Sequence, residues 1–130
     1  MATLVPTLAL TSTDATGDTI SISQTDSLAV GTDKVILSRT HSPGAYGSSE
    51  GVQIFDAGLG KCYIYVKNIH GATTIHLGAA NNTNTTNATW MELAAGEFTF
   101  FPWAGYVDIF ALTASGTATA GLEVIIFEAT

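Results

Sequence analysis

The stretch from residue 61 to residue 68 alternates apolar and polar or aromatic side chains with a period of two. Its apolar face consists of Cys62, Ile64 and Val66, and its opposite face of Lys61, Tyr63, Tyr65 and Lys67. Successive side chains of a β-strand point to opposite sides, so this pattern predicts a strand with one buried face. Cys62, the only cysteine, is predicted on the buried side as a small hydrophobe, and no disulfide is possible within the chain.

Similar but weaker patterns predict strands along the rest of the chain, separated by Gly-, Asn- and Thr-rich turns. They cover residues 18–24, 34–40, 52–56, 73–77, 89–93, 97–101, 106–113 and 120–128, and the apolar run at 4–10 suits an edge strand or an arm. In the strand at 18–24, Ile20 and Ile22 share the face expected to be buried, and Pro102 is expected to end the strand at 97–101. Short strands without a helical period predict an all-β, antiparallel β-sandwich of eight to nine strands, jelly-roll-like, with a small closed β-barrel as the alternative.

The 130 residues fit one domain, since this length is typical of a single core. We expect a short N-terminal arm at about residues 1–17, because Pro6 interrupts its apolar run and suits an edge strand. A Gly- and Ser-rich stretch at about residues 41–51, which contains Tyr46, predicts a long loop without a regular element. This loop is either a contact with a neighbouring subunit or a solvated connection.

The charge composition argues against nucleic acid as a partner. Four Lys and Arg residues stand against eleven Asp and Glu, which gives a net charge of −7, whereas phosphate binding requires clustered cations. An acidic surface also disfavours anionic membranes, and few charges leave little to oppose packing between copies. The N-terminus lacks the charged start and apolar run of a signal peptide or anchor, so synthesis in a cytoplasm is expected.

Candidate catalytic and metal-binding residues lack the sequence context that their chemistry needs. His41, His70 and His76 do not pair at ligand spacing, and the one Gly-X-Ser-X-Gly string, at residues 47–51, falls in the predicted loop rather than at a strand-to-helix turn that would position a serine nucleophile. Glu97 follows Gly96 in a turn, and we interpret it as an acceptor for backbone hydrogen bonds rather than as a catalytic acid. The sequence therefore predicts a protein that is not an enzyme, with no cofactor, no metal and no small-molecule substrate.

The last two predicted strands are apolar on both faces, which predicts that a second sheet or, as we favour, a subunit covers the outer one. Trp103 lies between Pro102 and Gly105 at a strand end, where it is expected to be exposed or interfacial. Residues predicted to contact a subunit or partner are Leu4, Val5, Pro6, Tyr46, Trp103, Tyr106, Phe110, Ile125 and Phe127.

Three segments in the second half of the chain carry a family resemblance: residues 63–68 (YIYVKN), residues 93–102 (LAAGEFTFFP) and residues 122–128 (LEVIIFE). In these segments the chain resembles small virion proteins of tailed bacteriophages, especially those of cyanobacterial and other marine phages. The resemblance implies a non-enzymatic β-sandwich that decorates or cements the capsid shell. It also implies a homotrimer that contacts the major capsid protein and is located in the virion.

Two other roles stay open on the sequence alone, one structural and one in ligand binding. The chain is alternatively a neck, tail or baseplate component, which would share the same fold and lack of chemistry. A carbohydrate-binding module of a host-recognition apparatus is the other alternative, motivated by Trp103, Tyr106 and the polar loop from Asn81 to Asn87. A small cupin-like enzyme would need histidines and a carboxylate clustered inside a barrel.

Overall fold

A computed structural model of the chain describes residues 2–13, 19–39, 44–45, 52–80, 89–113 and 121–130, and most of these residues lie in strands. These ranges contain twelve strands and one short 3₁₀ turn. In chain order they are β1 (Ala2–Leu4), β2 (Thr7–Ser12), β3 (Ile20–Thr25), β4 (Leu28–Arg39), β5 (Gly44–Ala45), β6 (Val52–Phe55), the turn Ala57–Leu59, β7 (Cys62–Asn68), β8 (Ile75–Ala80), β9 (Thr89–Leu93), β10 (Phe98–Trp103), β11 (Asp108–Thr113) and β12 (Leu122–Ala129).

Ten of these strands form two sheets. The front sheet has the order β1-β4-β12-β7-β10, and the back sheet has β5 and β6 beside β11, followed by β8 and β9. All pairs are antiparallel except β5 with β11. Without β1 and β5, each sheet has four strands, and their succession between the sheets is that of a jelly roll. The predicted all-β sandwich is confirmed, and the alternative of a closed barrel is wrong because the sheets do not close on each other.

The core lies between the inner faces of the two sheets. Strand β7 alternates buried and half-buried residues along its whole length, and β12 does so from Leu122 to Phe127, as period two requires. The core cluster consists of Ile54, Phe55, Cys62, Ile64, Val66, Ile75, Leu77, Leu93, Ile109, Ala111, Leu122, Val124 and Ile126. The buried position predicted for Cys62 is confirmed.

Strands β2 and β3 do not belong to the sandwich. They pair only with each other among the described residues and form a two-stranded sheet, here called the arm hairpin. Beside it, β1 pairs with the beginning of β4, and the Asp26 amide donates to the Pro6 carbonyl at 3.2 Å. Period two indicated a half-buried strand at residues 18–24, but Ile22 is 52 % exposed. An alternating strand exposes its apolar side when no second layer covers it.

Three predicted boundaries are corrected. Pro102 does not end a strand: it lies within β10, opposite Tyr63, and β10 is an edge strand in which a missing backbone N–H is tolerated. Strand β4 begins at Leu28, where it pairs with β1. Within the predicted loop at 41–51, Gly44–Ala45 forms β5 beside Leu112 and Thr113, and the rest of that loop, including Tyr46, lies outside the described residues.

The fully buried Asn68, the last residue of β7, ties the two sheets together at one end of the sandwich. Its Nδ2 donates to the carbonyl of Leu93 at 3.0 Å and to that of Thr73 at 2.7 Å, and its Oδ1 accepts from the His70 amide at 3.0 Å. Leu93 ends β9 of the back sheet, and Thr73 precedes β8. One amide side chain thereby satisfies three backbone groups on both layers.

The turn between β9 and β10 completes this end of the sandwich. Gly96 adopts a positive φ of 82°, which a side chain would disfavour, and its amide donates to the Asn68 carbonyl at 3.0 Å. Glu97 Oε2 accepts from the Ala94 amide at 2.7 Å. The Glu97 side chain thus closes the turn, as the sequence predicted.

Replacing Asn68 by Ala is expected to lower the free energy of unfolding by at least about 1–3 kcal/mol, the cost of one buried unsatisfied polar group. Glu97→Ala is the matched comparison, because Glu97 is exposed and loses one hydrogen bond, worth about 0.5–1.5 kcal/mol. Urea denaturation of both variants gives the two values. Equal losses would contradict the role assigned to the Asn68 side chain.

Candidate interaction surface

The outer face of the front sheet is largely apolar along β12, β7 and β10. Residues that face each other in an antiparallel register point to the same side of the sheet, and one row runs Ile125, Tyr65, Phe100 while the next runs Phe127, Tyr63, Pro102. We call this surface the outer apolar face; it comprises Tyr63, Tyr65, Phe98, Phe100, Ile125 and Phe127.

Aromatic contacts join β7 and β10 across this face. The rings of Tyr63 and Phe100 are stacked with centroids 6.4 Å apart, and those of Tyr65 and Phe98 are tilted with centroids 6.0 Å apart. Both separations lie in the range of favourable aromatic pairs. Phe98 nevertheless remains 62 % exposed. A phenylalanine this open, at the edge of an apolar face, indicates a surface suited to contact with another protein.

The N-terminal arm forms one wall of a groove over this face. The arm groove encloses about 870 Å³. It is lined by Leu4, Pro6, Thr7, Leu8, Leu10, Tyr65, Phe98, Thr99, Phe100, Glu123, Ile125 and Phe127. Glu123 is the one charged residue of this described lining, and it lies opposite Lys67 in the strand register. The groove therefore offers apolar side chains along most of its length.

The arm hairpin itself has two different faces. The cross-strand register places Leu8, Leu10, Ile20 and Ile22 on one face, together with Ser12 and Gln24. The other face carries Thr7, Ala9, Thr11, Ser21, Ser23 and Thr25. Leu8 and Leu10 are 52 % and 48 % exposed, so the apolar face of the hairpin is only partly covered.

The structure brings together four of the predicted contact residues: Leu4, Pro6, Ile125 and Phe127 all line the arm groove. Val5 and Tyr106 are exposed, Tyr106 to 87 %, but neither lines the groove. The partner contacts of all these residues stay predictions.

The contact residues predicted from the sequence do not include five residues that line the groove: Leu8, Leu10, Tyr65, Phe98 and Phe100. The alternation of residues 61–68 already placed Tyr65 on the outer side. The sequence did not show that β10 and β12 flank β7, which is what unites the aromatic side chains into one face.

Phe110 lies inside the protein instead of on its surface. It points away from the core residues Ile109 and Ala111, yet it is buried, as is Leu112 on the same side. Strand β11 is thus covered on both faces within a single chain. The expectation that a subunit covers Phe110 is corrected: two-sided apolarity in β11 reflects burial within the chain.

Trp103 is half-buried in an aromatic cluster where the edge strands of the two sheets meet. Its ring stacks on that of Trp90 from β9 with centroids 5.8 Å apart, and Phe101 meets both rings edge-on. Trp103 Nε1 donates to the Val107 carbonyl at 3.0 Å. Both the indole face and the N–H of Trp103 are therefore used within the chain.

Two of the three histidines fall in described ranges and have local partners. His70 Nδ1 accepts from the amides of Ala72 and Thr73 at 3.2 and 3.1 Å, and His76 Nδ1 lies 3.2 Å from Glu92 Oε1 on the neighbouring strand. His41 lies outside the described residues. Within the described part of the chain, no three His, Cys, Asp or Glu side chains are placed to share a metal ion.

Burial raises the pKa of the Cys62 thiol above its ordinary value of 9.0, and the nearby carboxylate of Glu128 raises it further. Burial also raises the pKa of Tyr65, with a smaller contribution from Glu123. A raised pKa keeps the thiol neutral and unreactive. Cys62 therefore contributes packing to the core rather than nucleophilic chemistry.

Comparisons of the chain with protein-family models, with curated proteins and with solved structures find no match. No helix in the described ranges has the length and apolar character needed to cross a membrane.

The raised pKa of Cys62 predicts that the free energy of unfolding falls as the pH rises above 9.0. The unfolded chain then loses the thiol proton before the folded chain does, which favours unfolding. Urea denaturation at pH values on either side of 9.0 measures this fall, and Cys62→Ala, which has no thiol, is expected to show a shallower one. Parallel curves for the two proteins would mean that Cys62 does not contribute.

Proposed function

We propose that this chain is a non-enzymatic structural protein of a tailed-phage virion, which decorates or cements the capsid shell. The observation that carries the proposal is the arm groove with its adjoining arm hairpin. A small jelly roll that presents a long apolar groove and a projecting, half-exposed hairpin has the features of a protein built to contact other proteins.

The polar side chains near the turns support a structural role. Asp56 Oδ1 accepts from the Gly58 amide at 2.9 Å, and Asp108 Oδ1 accepts from the Ala57 amide at 2.8 Å. At the end of the sandwich where β7 and β9 finish, Asn68 Nδ2 donates to the Leu93 carbonyl and Glu97 Oε2 accepts from the Ala94 amide. These carboxylate and amide side chains satisfy backbone donors and acceptors, and they thereby stabilise the fold.

The family resemblance falls on the same surface. Residues 63–68 belong to β7, residues 93–102 contain the turn after β9 and most of β10, and residues 122–128 belong to β12. These three strands are neighbours in the front sheet and supply every residue of the outer apolar face. The resemblance to phage virion proteins therefore concerns the strands that build the proposed contact surface.

On this proposal the partners are other copies of the chain, as a homotrimer, and the major capsid protein, and the location is the virion after synthesis in the host cytoplasm. Several arms and grooves in one oligomer would bind the shell at several points, so that weak contacts add up to slow release. Binding to the assembled shell but not to its free subunits would stabilise the particle by mass action.

A position in the neck, tail or baseplate is the nearest alternative, and it differs from shell decoration in stoichiometry. The carbohydrate-binding alternative was motivated by Trp103, Tyr106 and the loop from Asn81 to Asn87, and that loop lies outside the described residues. The Trp103 indole stacks on Trp90 and donates to the Val107 carbonyl, so its contacts favour a role within the fold, whereas Tyr106 is 87 % exposed.

Quantitative mass spectrometry of purified particles of the phage that encodes this chain is expected to find a copy number comparable with that of the major shell protein. The reason is that a decorating protein occupies sites repeated over the whole shell. The major capsid protein and a known tail-tip protein of the same particles serve as internal standards.

A copy number close to that of the tail-tip protein would reject shell decoration and assign the chain to the neck, tail or baseplate. Absence of the chain from washed particles would reject a virion role altogether. The measurement does not depend on how copies of the chain contact one another.

A further inference from the structure

The arm hairpin continues a ribbon that begins in the front sheet. In that sheet, Leu4 of β1 lies opposite Leu28 of β4. Thr7 of β2, three residues further along, lies opposite Thr25 of β3, which is three residues before Leu28. No residue is inserted on either side, so one register extends from the front sheet through the arm hairpin. The hairpin is therefore attached to the sandwich by a single short break between paired strands.

That break has the features of a hinge, which consists of residues 5–6 on one strand and residues 26–27 on the other. The shared register places Pro6 opposite Asp26, but Pro6 has no N–H to donate. The Asp26 amide alone bonds across the ribbon, to the Pro6 carbonyl at 3.2 Å, and the Ser27 amide donates to Asp26 Oδ1 at 2.7 Å instead. A ribbon bends most easily where a ladder bond is missing, and hinge residues are typically found at the ends of strands.

The hinge holds the apolar face of the hairpin over the outer apolar face of the same chain. Leu8 and Leu10 line the arm groove from the hairpin, and Tyr65, Phe98 and Phe100 line it from the front sheet. Large apolar side chains on both walls remain exposed to water. Removing this apolar surface from water is favourable, and a two-stranded hairpin gains stability when its apolar face packs against another layer.

The covalent connection identifies which molecule covers this face. Only the four hinge residues separate the hairpin strands from the front sheet. A segment on so short a tether meets the surface beside it at an effective concentration on the order of millimolar. A separate molecule with the same intrinsic affinity would need that concentration to compete. The hairpin of the same chain is therefore the favoured occupant whenever no partner is present.

We propose that the arm hairpin is a flap that closes on the outer apolar face of its own chain while no partner is bound. Bending at the hinge brings Leu8, Leu10 and Ile22 against Phe98 and removes the groove. Closure is a property of the free chain. Its use rests on the proposed function: the flap shields the contact surface until a virion partner displaces it, and the partner's affinity is reduced in proportion to the fraction of open molecules.

The reactivity of single cysteines measures closure, because a covered thiol reacts slowly with a soluble reagent such as iodoacetamide. Leu8→Cys places a thiol on the closing face of β2, and Ala9→Cys places one on the opposite face. Both positions are exposed while the flap is open. Leu8→Cys is expected to react about tenfold more slowly than Ala9→Cys, which corresponds to a flap closed about nine-tenths of the time.

Two controls accompany these rates. Each rate is divided by that of the same variant in urea, which removes differences in intrinsic thiol reactivity. The natural protein gives the background from Cys62, which is buried. Phe98→Cys reports on the other wall and is expected to be protected like Leu8→Cys, whereas Tyr106→Cys, which is exposed outside the groove, is expected to react fast.

A charge on the closing face is expected to open the flap. When Ile22→Glu is added to Leu8→Cys, the thiol should react as fast as that of Ala9→Cys, because closure would bury an unpaired charge. Ser23→Glu adds the same charge on the other face and should leave the protection unchanged within about twofold. Far-ultraviolet circular dichroism and urea midpoints close to those of the natural protein would show that the variants fold.

Equal rates for Leu8→Cys and Ala9→Cys would overturn the proposal by showing that the flap stays open. Protection that Ile22→Glu leaves intact, or that Leu8→Cys shows without Phe98→Cys, would overturn it as well. Protection that grows with protein concentration would assign the cover to a second copy and reject closure within one chain. These rates do not depend on the copy number in particles, so closure and the virion role can fail separately.

Discussion

The amide side chain of Asn68 is the contact on which the arrangement of the two sheets depends. It is fully buried at the end of β7 and donates to carbonyls that belong to β9 and to the entry of β8. A buried amide is costly unless its hydrogen bonds are made, and its bonds here are made only when the back sheet lies over the front sheet in this position. The residue therefore adds directional specificity to a core that is otherwise held by non-directional apolar packing.

Fixing the end of β7 also fixes which of its side chains face outward. A shift of one residue would move the whole set of inner side chains to the outside, and Asn68 would lose its partners. The same constraint that places Ile64 and Val66 in the core therefore places Tyr63 and Tyr65 on the outer apolar face. Core and proposed contact surface are two consequences of one register.

Period two in the sequence was sufficient to predict the strands and their two faces where one face is buried, as in β7, β8 and β12. It was insufficient where the cover of a strand depends on distant parts of the chain. Ile22 and Phe110 illustrate the two errors: Ile22 follows the pattern of a half-buried strand but lies on an uncovered hairpin, whereas Phe110, expected at a subunit contact, is buried within its own chain. Alternation reports that a strand has two faces, and only the topology determines what lies against each of them.

The candidate surface was predictable in part for the same reason. The apolar character of an arm and of a two-faced strand predicts contacts at Leu4, Pro6, Ile125 and Phe127, and all four residues line the groove. Leu8 and Leu10 could not be predicted as groove residues, because the sequence does not show that β2 and β3 pair with each other outside the sandwich. The prediction that Pro102 ends a strand was wrong because an edge strand tolerates a proline, and the position of β10 at the edge is a property of the whole sheet.

The stacked indoles of Trp90 and Trp103 have a consequence for how this molecule can be observed. They are the only two tryptophans of the chain, and they sit together where the edges of the front and back sheets meet. All intrinsic tryptophan fluorescence therefore originates from one seam of the sandwich. That emission reports separation of the two sheets, and the arm hairpin, which carries no tryptophan, needs a label of its own before its movements become visible.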